Sequence, residues 1–103
     1  MLVSSTYKEG DIVSFKLVNG DEIVAKIAEI RGNSWLISKP CTVIPSPQGL
    51  GLLQSMFSAE LNKNVELKSE HVMLHAETLQ QIKDHYTTTT TGIQTVSKGP
   101  IIT

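Results

Sequence analysis

The chain has little of most things that announce a function. It has one cysteine, Cys41, among its 103 residues, which excludes an intrachain disulfide. Nine Lys and Arg stand against ten Asp and Glu, a formal charge of −1, so no global positive field draws the molecule to nucleic acid. Any such binding must come from a local arrangement. No apolar run is long enough to span a bilayer. The opening Met1-Leu2-Val3-Ser4-Ser5 lacks the basic start and long apolar stretch of a secretion signal, so the expectation is a soluble, cytoplasmic protein. The length suits one domain with a modest core, small enough that association with copies of itself would help stability.

The clearest feature present is the stretch Ile12 to Ile27. Val13, Phe15 and Leu17 alternate with Ser14 and Lys16, Asn19-Gly20 supplies residues that accept positive φ, and Ile23, Ala25 and Ile27 resume a period of two. This predicts a β-hairpin. Arg31-Gly32-Asn33 reads as a turn into a third strand, Ser34 to Lys39, which Pro40 limits or confines to an edge and which Cys41 to Pro45 can extend. Ser46-Pro47-Gln48-Gly49 reads as a reversal, and Leu50 to Ala59 as a fourth strand whose apolar residues hold no single phase. Val65 to Lys68 alternates again, and Val72-Met73-Leu74 gives a last strand. Downstream, Leu79, Ile82 and Tyr86 form an apolar stripe at helical spacing. The β-branched run Thr87 to Thr91 resists helix, and 92–103 has no period. The organisation read from this is an N-terminal extension over 1–10, a β domain over 11–75, a helix over 76–91 and a flexible tail over 92–103.

The hairpin's order of residue types, apolar alternation into Asn-Gly and then Ile23, Ala25 and Ile27 at steps of two, resembles the first signature of the Sm and Sm-like proteins. Leu67-Lys68-Ser69-Glu70-His71-Val72 has the spacing of that family's second signature, with Lys68 where Arg is usual and Ser69 where Gly is usual. The chain departs from the pattern at Ala25, where the family usually has Gly, and at Arg31 and Trp35, where it has a loop Asp and Asn. The resemblance spans residues 11–75 and is nearest to the diverged Sm-like proteins met in bacteriophage genomes. It implies a mainly β fold, a small and strongly bent five-stranded antiparallel sheet or open barrel of SH3-like kind, here with the helix at the C-terminus. It also implies a homo-oligomeric ring in which the fourth strand of one subunit pairs with the fifth of the next. In this sequence that seam falls at Leu52 to Ala59 against Val72 to His75, with Leu52, Met56, Phe57, Val72, Met73 and Leu74 as interface candidates.

The groups that could carry chemistry each have a plain alternative. His71, His75 and His85 with Cys41 match no zinc spacing and read as scattered polar residues, so no metal or cofactor is expected. Asp11, Asp21 and Glu22 flank the hairpin as turn and surface acids, and no catalytic triad or carboxylate pair is legible, so the chain is expected not to be an enzyme. Trp35 either stacks on a base or fills the core. Arg31, Lys68 and His71 either approach a ring's pore, where repetition concentrates charge, or are solvated loop ends. Two functions follow from the resemblance: a non-catalytic ring that binds single-stranded RNA through repeated loop sites, with Arg31, Trp35, Lys68 and His71 as contacts, and a structural or protein-interaction ring that has lost the RNA pocket. The partners expected are therefore other copies of the chain and single-stranded RNA, with no membrane.

Overall fold

A computed structural model describes residues 7–60 and 62–96, the last five as backbone only. Six strands, β1 (Ile12–Leu17), β2 (Glu22–Ile30), β3 (Ser34–Ser46), β4 (Gly49–Gln54), β5 (Val65–Lys68) and β6 (Val72–Glu77), are followed by one helix, α1 (Gln80–Val96). The strands form one antiparallel sheet in the order β4-β3-β2-β1-β6, with β5 also pairing to β3, and the sheet does not close. The fold is thus the mainly β, open antiparallel architecture with a C-terminal helix that the sequence predicts.

The first hairpin forms as its residues dictate. Val13 faces Ala25 and Phe15 faces Ile23, which sets one apolar row inward. Gly20 takes φ of 98°, Leu17 and Asp21 close the turn through a backbone bond of 2.8 Å, and Asn19 Oδ1 accepts from the Asp21 amide at 3.0 Å.

β3 is the organising strand. It passes through Pro40 because the ladder there carries a bulge: Ser38 pairs with Lys26 and Cys41 with Val24, so Lys39 and Pro40 together oppose Ala25. Proline is tolerated where the ladder asks for no amide, and Lys39 takes the positive φ of 49° that the kink demands. The extra residue reverses the strand's phase. Trp35 and Ile37, before the bulge, point into a core with Val13, Phe15, Ile23, Ala25 and Ile27. Cys41 and Val43, after it, point to the other face and pack with Val24, Leu52, Ile82 and Tyr86. One sheet therefore serves two cores. The first is enclosed by its own curvature, and the second is covered by α1.

Three expectations need correction. The fourth strand ends at Gln54 and does not reach Ala59, because Gln54 pairs with Cys41 just where the bulge interrupts the ladder; Ser55 instead donates to the Pro40 carbonyl at 2.9 Å and the chain leaves the sheet. The edge of β3 is then taken up again by β5, at Ser34 to Ile37. The helix begins at Gln80 and not at Ala76, since Ala76 and Glu77 pair with Ser14 and Val13 in β6, and the threonine run 87–91 is helical. Thr90 is buried and donates its hydroxyl to the Tyr86 carbonyl at 2.9 Å, a bond that satisfies the side chain within the helix. The last strand also runs longer than expected, to Glu77. Of the N-terminal extension, Gly10 bonds to the Ile27 carbonyl at 2.7 Å, while residues 1–6 lie outside the described residues. The expected tail is helical over 92–96, and its remainder lies outside the described residues. No described helix is long and apolar enough to cross a membrane.

Candidate functional site

The two stretches that carry the Sm-like resemblance meet in space. Register places Ser34 opposite Lys68, so the β2–β3 loop and the end of β5 share one end of the sheet. The Ser69 amide then donates to the Asn33 carbonyl at 3.0 Å. Ser69–His71 forms a single 3-10 turn, and its far end accepts the Val18 amide on the His71 carbonyl at 2.9 Å. A three-residue turn thus ties the second loop to the hairpin turn, and the segment predicted to close one strand and open the next does so between Lys68 and Val72.

This brings the backbone of 31–34 and 68–71 to one end of the sheet, where Arg31, Lys68 and His71 are all exposed. Arg31 Nε lies 3.3 Å from Glu29 Oε2, both half exposed, and His71 Nε2 lies 3.6 Å from Glu70 Oε2. Pairs this open to water contribute little to stability and are screened by salt. The formal charges at this end of the sheet cancel, Arg31 and Lys68 against Glu29 and Glu70. Trp35 is not part of this surface. It is 1% exposed, with its ring 4.9 Å from that of Phe15 and 5.4 Å from that of His75, so its aromatic face is spent on the core.

The interface candidates divide in the same way. Leu52 lies half-buried in the helix-covered core, and Val72 packs against the first core. Met56 and Phe57 are 45% and 75% exposed, in the irregular segment after β4. Met73 and Leu74 are 62% and 65% exposed on β6. β6 pairs only with β1, and β4 and β5 only with β3, so each side of the sheet ends in strands whose outer backbone groups have no strand partner among the described residues. Beside β6 runs an open groove of about 540 Å³ lined by Ser14, Phe15, Lys16, Glu22, Leu74, His75 and Ala76.

Sequence reasoning missed two aromatic arrangements. Tyr7 and the Nδ1 of His75 share a hydrogen bond of 2.8 Å, and their rings meet edge to face at 5.5 Å, capping the side of the core where Trp35 sits. Tyr86 is 2% exposed and donates its hydroxyl to the carbonyls of Ser38 and Lys39 at 2.8 and 3.0 Å. Neither is legible locally: Tyr7 stands alone in a polar stretch, and the helical stripe says only that Tyr86 packs. Cys41 is buried, and burial pushes its thiol up to about 11, which leaves it protonated and unreactive at neutral pH. Among the described residues no three His, Cys, Asp or Glu side chains are grouped to hold a metal ion.

No protein-family model matches the chain, and no curated protein matches it.

Proposed function

We propose that the chain is a non-catalytic, self-assembling module that builds a homo-oligomeric ring of the Sm-like kind, used as a structural or protein-interaction platform. The observation that carries this reading is the pair of unpartnered edges at opposite sides of one open sheet, with exposed Met73 and Leu74 on one of them. Unpaired strand edges bind other strands, and a head-to-tail contact between unlike edges closes into a ring when the rotation per copy divides a full turn. The seam in this reading lies between β5 of one copy and β6 of the next. Of the stretch Leu52 to Ala59 expected at the seam, 52–54 belongs to β4 and 55–59 is not strand.

The ring is tested by light scattering. A mass several times that of one chain at micromolar concentration is expected, with Met73→Glu and Leu74→Glu reducing it and the conservative Leu74→Met leaving it intact. A monomer mass for the unmodified chain overturns the reading.

RNA binding is the second reading, supported by the exposed Arg31, Lys68 and His71 on the two segments that the Ser69 to Asn33 bond joins. The buried Trp35 and the neutralising Glu29 and Glu70 place it second. A ring without an evident site for chemistry still offers a repeated surface, and fold alone does not choose its use.

A further inference from the structure

The part of β3 beyond the bulge and the whole of β4 form a hairpin arm over 41–54, and its attachment is unlike that of the other strands. Its half-buried apolar side chains, Val43 and Leu52, pack in the second core with Val24, Cys41 and Tyr86 and take no part in the first, and its ladder to β2 is limited to the pairs Val24–Cys41 and Ile23–Thr42. At its root, Lys39 occupies a left-handed φ of 49° that costs a side chain of this type strain. On one side of the root, residues 38–40 have neither β4 nor β5 beside them, since β5 pairing ends at Ile37 and β4 pairing begins at Cys41. A cavity of about 20 Å³ lies there, lined by Lys39, Pro40, Cys41, Gln54, Met56 and others, with room for about one water. On the other side stands the Tyr86 hydroxyl, whose one proton is shared between the carbonyls that flank the kink.

We propose that Tyr86 is a latch: by holding the Ser38 and Lys39 carbonyls, α1 fixes the angle of the 41–54 arm and so determines where the arm presents its exposed Ile44, Leu50 and Leu53. When the latch opens, the strained root relaxes and the arm swings as a unit while the first core stays folded. Burial raises the phenol well above its ordinary range, so the latch keeps its proton at physiological pH and answers to helix docking, not to acidity.

Cys41 is the natural reporter, because it sits next to the root, is 1% exposed and is the chain's single thiol. The full-length protein and its Tyr86→Phe variant, which keeps the ring and loses only the hydroxyl, are alkylated with iodoacetamide across a low urea series and followed by mass spectrometry. The variant's Cys41 is expected to react about tenfold faster, at a rate nearly independent of urea, as local opening exposes little surface. An unchanged rate, or one that rises with urea in step with global unfolding, overturns the latch. The unmodified chain supplies a reading that needs no variant: backbone amides of 42–54 should exchange with solvent through a smaller opening than those of β1 and β2. Equal protection in both regions overturns the proposal as well.

Discussion

A single indole decides how the candidate site is read. Trp35 lies at the centre of the first core, between Phe15 and His75, and its Nε1 has no hydrogen-bond partner among the described residues. Trp35→Ala should therefore act on folding, costing about 3–5 kcal/mol in urea denaturation. Trp35→Phe should cost less, as it keeps most of the apolar contact and deletes an unsatisfied donor. If Trp35→Ala leaves stability unchanged, its place in the core is wrong. Cys41 permits a second test with a definite sign. Its thiol is held at about 11 in the fold against an ordinary 9.0, so between these values the unfolded chain binds fewer protons than the folded one. The contribution is complete below pH 9 and lost as pH rises to 11, and Tyr86 and Tyr7, both raised first by burial, add losses of the same sign from pH 10 upward. Melting temperature should fall across this range, and less steeply in Cys41→Ala.

At the scale of elements, sequence was most informative where local pattern and tertiary need agree. The β1–β2 hairpin has clean alternation and a turn whose residues allow only a few shapes, so its register followed. Pro40 left two readings open, and the threonine run misled, because local preference at both places is overruled by packing. The bulge that admits Pro40 is a relation between Lys39-Pro40 and Ala25, fifteen residues upstream, which no window on β3 contains. Likewise Ala76 and Glu77 have no strong preference of their own and become strand because β1 offers an edge. Leu50 to Phe57 showed no steady period because only its first part is strand: Leu52 faces the second core and Leu53 faces away, as alternation requires, but the strand ends at Gln54 and Met56 and Phe57 follow in irregular chain. The helical threonines yield a prediction, since helix stability there comes from docking and not propensity. Thr88 is exposed, so Thr88→Ala should stabilise the chain by about 0.5 kcal/mol, visible as a small rise in melting temperature. A fall would mean that the Thr88 hydroxyl makes a contact worth more than the propensity gained.

For the whole molecule, the meeting of the two loops was legible only through the Sm-like resemblance, because residues 31 and 68 come together by way of β3–β5 pairing and not by any local signal. What the resemblance left open is the sign and strength of the surface they make. Each chain carries Arg31 and Lys68 at the same end of the sheet as Glu29 and Glu70, so repetition around the proposed ring would multiply a balanced set of charges and not a positive one. Phosphate binding driven by counterion release scales with the number of cations engaged, and a balanced set gains little from it. The expected outcome for the assembled protein is therefore weak binding of short single-stranded uridine-rich or adenine-rich RNA, visible by fluorescence anisotropy only at low salt. Glu70→Gln combined with Glu29→Gln should strengthen it and steepen its salt dependence, while Lys68→Ala should abolish it with the mass of the assembly unchanged. Tight binding by the unmodified ring at physiological salt, lost in Lys68→Ala, would reverse the order of the two readings: avidity from several subunits holding one strand would then outweigh the neutrality of each site.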